Sequence, residues 1–178
     1  MELQKGRPEN TDDRLDKEIR VYNFLDKLGI QYQRIDHEAA MTMEACEEID
    51  RALGDNTTIC KNLFLCNRQQ TRFYMLLMRG DKPFKTKYLS AQLGCARLSF
   101  ADGAHMAEYL RTTPGSVSAL ELLFDRGGKV QLVIDKPLME DEFISVHPGL
   151  STSTLRLRRE DLLRYVRACG HEPIVVDL

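Results

Sequence analysis

The stretch that most constrains this chain is Thr58-Ile59-Cys60-Lys61-Asn62-Leu63-Phe64-Leu65-Cys66. Its short apolar run, bounded by polar residues, predicts a strand. Alternation along a strand puts Cys60, Asn62, Phe64 and Cys66 on one face and Lys61, Leu63 and Leu65 on the other. Both faces are mostly apolar, so the strand is expected to be covered on both sides. Lys61 is the exception. An ammonium cannot be buried alone, so it must reach water, a carboxylate or a ligand anion. On the strand alone the simpler account is a lysine whose stem lies on Leu63 while its head reaches solvent.

Around this strand the punctuation predicts one α/β domain. A helix follows Thr11-Asp12-Asp13 as N-cap, with Leu15, Ile19, Tyr22, Leu25 and Leu28 at helical spacing and Gly29 after it. A strand is expected over 30–35 and a second helix over Thr42–Leu53. The turn 67–70 makes the central strand and the next one, 72–78, an antiparallel hairpin. Further on, helices are expected over 85–93, from Asp102 to about 110, and over 160–169. Strands are expected at 97–100, 130–134, 143–146, 151–157 and 174–176, and the type of 119–124 stays open. With 178 residues there is room for a single core. The expectation is a mixed, largely antiparallel central sheet with surrounding helices, residues 1–10 being a flexible lead-in and 11–178 the domain.

Composition excludes more than it selects. No apolar run has the length of a membrane span, and the N-terminus lacks the apolar core of a signal peptide. Five cysteines without a CxxC read as reduced thiols, which places the chain in the cytoplasm. The net charge is −2, with −6 in residues 1–60 and +4 in the rest. That permits a basic patch but not indiscriminate nucleic-acid binding. Basic residues gather at 79–97 and again at 156–167, where phosphate contact is open to them but a solvated face is the commoner explanation. There is no P-loop, no HExxH and no GxSxG, so neither phosphate-loop chemistry, a metal site nor a nucleophile elbow is indicated. The four histidines are far apart in sequence; His37 and His171 read as turn residues.

Two other features carry weight beside Lys61. In Thr112-Thr113-Pro114-Gly115-Ser116-Val117-Ser118, Gly115 lets the main chain approach a ligand, and Ser116 reads as a loop hydroxyl. At His147-Pro148, proline holds the histidine in extended backbone at the end of a strand. Each alone is better explained by a plain turn.

Taken in order, Lys61-Asn62-Leu63-Phe64-Leu65, Thr113–Ser118, Val130–Asp135 and His147-Pro148 resemble the YbaK/prolyl-tRNA-synthetase-associated family, in its freestanding ProX/PrdX-type branch. The likeness runs from about residue 15 to the C-terminus and takes in Arg97–Phe100 and His171-Glu172-Pro173. It implies a YbaK-like fold with a central pocket, no cofactor and no metal, and a trans-editing aminoacyl-tRNA deacylase acting on Ala-tRNA(Pro). The position of Lys61 is the family's essential lysine. Asn62, Pro114, Gly115, Ser116, Val117 and His147 would bind substrate. The implied partners are the acceptor end of an aminoacylated tRNA and, transiently, prolyl-tRNA synthetase. The chain departs from the family pattern at Arg111, where the loop commonly starts with glycine. It departs again at Ser151-Thr152, where many relatives carry Asn-Thr. A non-catalytic tRNA-binding module and a deacylase for another mischarged tRNA are the alternatives.

An editing site answers a physical difficulty. Alanine is smaller than proline, and missing methylenes are worth only about 1–3 kcal/mol of discrimination in an activating site. A second site that admits alanine and rejects proline corrects the error, and Leu63 and Leu65 are expected to contribute to that size limit. The ester is already activated, so placed water and a polarised carbonyl suffice, without a covalent nucleophile. Lys61 is read as the electrostatic anchor, with His147 positioning substrate.

Overall fold

The computed structural model describes residues 1–39 and 43–178. The strands are β1 (Gln4–Lys5), β2 (Tyr32–Asp36), β3 (Thr57–Thr58), β4 (Cys60–Cys66), β5 (Phe73–Arg79), β6 (Ser99–Phe100), β7 (Val130–Asp135), β8 (Phe143–Val146), β9 (Ser153–Arg158) and β10 (Ile174–Val176). The α-helices are α1 (Asp16–Lys27), α2 (Met43–Leu53), α3 (Thr86–Gln92), α4 (Gly103–Leu110) and α5 (Arg159–Ala168). Residues Ala119–Phe124 and Lys136–Glu140 form 3-10 turns.

The mixed α/β class is as expected, but the strands divide between two five-stranded sheets where one was predicted. The first has the order β1-β2-β9-β8-β3 and the second β10-β7-β5-β4-β6. The first is antiparallel except for β3 with β8; the second is evenly mixed, with β10–β7 and β7–β5 parallel and β5–β4 and β4–β6 antiparallel. Pairings such as β2 with β9 and β5 with β7 join segments more than fifty residues apart. Local pattern carries no record of them. Within residues 1–10, Gln4 and Lys5 pair with Arg34 and Gln33.

The sheets pack face to face over the main core. Phe64, Met75, Leu77, Leu132 and Ile134 from the second sheet meet Tyr32, Ile144, Val146, Leu155 and Leu157 from the first, closed by α1 and α5. The opposite face of the second sheet buries Leu65, Leu76, Met78 and Val133 under α3. β4 is therefore covered on both sides, which is what its two apolar faces required. A third, small cluster lies on the outer face of the first sheet, where Ile35 meets Ile49 and Leu53 of α2.

Two helix starts are instructive. Asp102 caps α4 as its position implies, its carboxylate accepting from His105 N. The Thr11–Asp13 cap does not form: α1 begins at Asp16, with extended Leu15 as N-cap and no side-chain bond. Asn10 instead closes a local turn by accepting from Asp12 N, competition typical of short polar side chains. The predicted second helix is observed from Met43, and Thr42 lies outside the described residues.

Candidate functional site

The site begins with an uncovered strand edge. β4 pairs along its whole length with β5, but on its other side β6 covers only Leu65 and Cys66. Along the bare half, Cys60 N donates to Ser145 Oγ at 3.2 Å and Phe64 O accepts from Ala101 N at 2.9 Å. Alternation places the main-chain N–H and C=O of Asn62 on that same open edge. The Asn62 side chain is spoken for: its Oδ1 accepts from Ala119 N at 3.1 Å, which fastens β4 to the segment that follows the Pro-Gly loop.

That loop is held from both ends. Arg111, at the end of α4, has the left-handed backbone (φ 53) that turns the chain into it. Gly115 has φ 88, a conformation that costs a side chain but not a glycine. Beyond it, Ser118 and Glu121 form a reciprocal cap. Ser118 Oγ accepts from Leu120 N, and Glu121 Oε2 accepts from Ser118 N at 2.9 Å. Tyr165 of α5 adds a hydrogen bond to Leu120 O at 2.8 Å. Burial pushes the Glu121 carboxyl up to about 7, opposed by Thr112, the Ser118 amide and Lys17. Thr112 Oγ1 and Glu121 Oε1 are both buried, and neither has a hydrogen-bond partner among the described residues.

Between these parts lie two adjoining cavities. The larger, about 480 Å³, is bounded by Cys60, Asn62, Pro114, Gly115 and His147, with Ser145 and Thr154 below and Ile49, Leu53 and Ile59 at its apolar end. The smaller, about 350 Å³, shares those first five residues and adds Lys61, Val117, Phe100 and Met106. Asn62, Pro114, Gly115 and His147 thus line both cavities, while Lys61 and Val117 line only the second. Ser116 lines neither: it is buried, and its N–H donates to Thr113 O at 3.1 Å.

Lys61 is half-buried, and its ammonium donates to the carbonyls of Gly80 and Lys82 at the end of β5. No carboxylate lies within ion-pair distance among the described residues, so these neutral acceptors hold the charge without cancelling it. Leu65 does not shape either cavity; with Leu76 and Met78 it sits in the core under α3, and Leu63 reaches only the smaller cavity. The apolar end of the larger cavity comes from α2 and Ile59. Sequence could not assign it, because α2 meets the loop only through the fold.

His147 has a defined tautomer. Its Nδ1 lies 2.8 Å from Ser153 O, and a carbonyl only accepts, so Nδ1 carries the proton and Nε2 is left as an acceptor. Burial lowers its pKa, the Ser153 bond opposes this, and nearby His37 lowers it further, so the ring stays neutral near pH 7. His37, read from sequence as a turn residue, lines the larger cavity, with Nε2 2.9 Å from Thr154 Oγ1. No local signal distinguishes it from an ordinary turn histidine. Cys60 is not a nucleophile in waiting, because burial pushes its thiol up to about 12.

The predicted basic group at 156–167 is largely neutralised and that at 79–97 only in part, with Lys85, Lys87 and Arg97 outside any ion pair among the described residues. Arg79 forks onto Asp141, Lys82 meets Asp135, and Arg158, Arg164 and Arg167 pair with Glu142, Asp161 and Glu172.

Comparison with known proteins adds four findings. Residues 37–165 match the model of the aminoacyl-tRNA editing domain family. Over 164 residues the chain is 33% identical to the prolyl-tRNA editing protein ProX of Acetoanaerobium sticklandii, covering 92% of this chain and 99% of that one. It is 30% identical to the prolyl-tRNA synthetase associated domain-containing protein 1 of Danio rerio, covering 91% and 88%. Among solved structures, a candidate trans-editing enzyme for prolyl tRNA synthetase superposes with a TM-score of 0.68 over 92% of this chain and 97% of that one. At 17% identity this is a likeness of fold.

Proposed function

The chain belongs to the aminoacyl-tRNA editing domain family, and from that premise and its paired cavities we propose that it is a trans-editing deacylase of mischarged tRNA, with Ala-tRNA(Pro) as substrate. The observation that carries this is the convergence of a bare strand edge, a glycine-bearing loop and a neutral histidine around one opening. Apart from the His37–Thr154 contact, whose threonine is buried in β9, no hydroxyl or thiol among the described lining residues is hydrogen-bonded to a side-chain base, which suits an activated ester attacked by water. In this reading the terminal ribose lies against Pro114–Gly115 and the aminoacyl group points toward Ile49, Leu53 and Ile59. Those side chains make an apolar end that would set the size limit.

The chemistry is simple. Water attacks the carbonyl carbon, the bond to the ribose oxygen breaks, and that oxygen leaves as a hydroxyl with the proton water gives up. Donors on the open edge at Asn62 face developing negative charge. Lys61 lies beside the adjoining cavity with its ammonium on the Gly80 and Lys82 carbonyls, and polarises the ester through its field. His147 Nε2 accepts a hydrogen bond and so positions the substrate's amine or the water. The ribose hydroxyl beside the ester helps orient that water.

The test is single-turnover release of amino acid from a panel of aminoacylated tRNAs, wild type beside Lys61→Ala. Release of alanine from proline tRNA, slowed by at least 100-fold in the variant, is the expected result. Near-normal rates in Lys61→Ala would remove the lysine from the mechanism. Binding of tRNA with no release from any of the panel would leave a tRNA-binding module.

A further inference from the structure

One surface next to the loop has no place in the chemistry above. Arg20 and Lys27 on α1, Arg111 at the end of α4 and Arg126 after the 119–124 turn converge on one groove of about 430 Å³, with the rings of Phe24 and Phe124. All four cations are exposed and the two rings are half-buried. Among the described residues, none that lines the groove is acidic. Arg20 alone has an acidic neighbour, Asp16 at 3.6 Å on its own helix; Lys27, Arg111 and Arg126 have no ion-pair partner among the described residues. This contrasts with the Arg156–Arg167 group, where Arg158, Arg159, Arg164 and Arg167 are each paired with an acid. Arg111 holds its guanidinium 5.2 Å above the Phe124 ring, an arrangement that fixes its direction while leaving the charge free. It does so from a left-handed backbone position that disfavours an arginine.

We propose that this groove carries the phosphates of the RNA strand leading to the aminoacylated 3′ end. The inference rests on the deacylase reading for what lies in the neighbouring cavities. Arg111 stands three residues before Pro114, so their Cα atoms are at most about 11 Å apart. A strand whose last ribose lies on Pro114–Gly115 therefore passes within reach of Arg111, with Arg126, Lys27 and Arg20 beyond it. Unpaired cations beside exposed ring surface suit a single strand or its junction with a stem, where charge and stacking act together.

The experiment uses the full chain, with Arg111→Gly and the double variant Lys27→Gln/Arg126→Gln. Glycine suits the left-handed backbone and the other two side chains are exposed, so both proteins should fold; circular dichroism checks this. Two readouts are taken: binding of uncharged proline tRNA across a salt series, and amino-acid release from Ala-tRNA(Pro) and from 3′-O-alanyl-adenosine, which has no phosphates. For the double variant the groove predicts a roughly ten-fold weaker Kd near 0.1 M salt and a salt slope shallower by about 1.5–2. Release from the tRNA falls at sub-saturating protein, while release from the nucleoside ester is unchanged. An unchanged Kd and slope would overturn the groove, as would equal losses on both substrates, which would mean a distorted loop. If the wild type releases nothing from either substrate yet the variants still weaken tRNA binding, the deacylase reading fails and the groove stands.

Discussion

Replacing Glu121 by glutamine tests how the Pro-Gly loop is anchored. Glu121 is fully buried and caps the 119–124 turn through Ser118 N, and that turn in turn holds Asn62. Burial raises its carboxyl from 4.5 to about 7. A folded pKa above the unfolded one means the stabilising contribution is fully present below 4.5 and lost as pH rises through about 7. At 1.36 kcal/mol per pK unit the whole loss is about 3 kcal/mol. Glutamine keeps an oxygen for Ser118 N and never ionises, so it escapes that loss. The two proteins should therefore differ little at pH 5, and Glu121→Gln should be the more stable by about 2–3 kcal/mol at pH 8. Urea unfolding at the two pH values reads the difference, and other titrating groups cancel in the comparison. A gap between the two proteins that is the same at pH 5 and pH 8 would refute the reasoning. Glu121→Ala serves as the control: it loses the cap at both pH values, by about 1 kcal/mol.

Other expectations follow from the same geometry. Because His147 is held neutral with its pKa below 6.5, stability from this group is complete above 6.5 and declines as pH falls below it. His147→Asn should flatten that acid limb in urea unfolding, and activity of the wild type should fall over the same range. Asn62→Ala removes the acceptor for Ala119 N; a cost of about 1–2 kcal/mol in thermal unfolding and a slower single-turnover rate are expected. Ile49→Ala enlarges the apolar end of the larger cavity at a cost of about 2–3 kcal/mol, and release from Pro-tRNA(Pro) should appear where the wild type gives none. Rejection of proline that survives this change would place the size limit elsewhere.

Much of the scaffold was legible because its signals are local. Period-two alternation disclosed β4 and β5, and Asp102 announced α4. What sequence withheld is contact between distant segments. The division into two sheets depends on pairings such as Arg34 with Leu155, which leave no trace in either strand's own pattern. The placement of α2 over the cavity, and of His37 beside His147, follows from that division. The basic groove was hidden for the same reason: its four cations come from three separate segments, whereas the 156–167 run visible in the sequence turned out to be largely matched by nearby acids. Lys61 drew notice as a charge among apolar neighbours, but its seat on the Gly80 and Lys82 carbonyls required the β4–β5 register to be known.

The two-residue length of β6 has a consequence for how selectivity can change. Where β4 is left bare, the edge offers peptide groups, which every residue type but proline supplies alike. Features common to all aminoacyl esters would then be read by an invariant surface. Identity of the amino acid would be left to a few aliphatic side chains on a different element, so new substrates could be acquired by altering α2 without disturbing the apparatus that cleaves them.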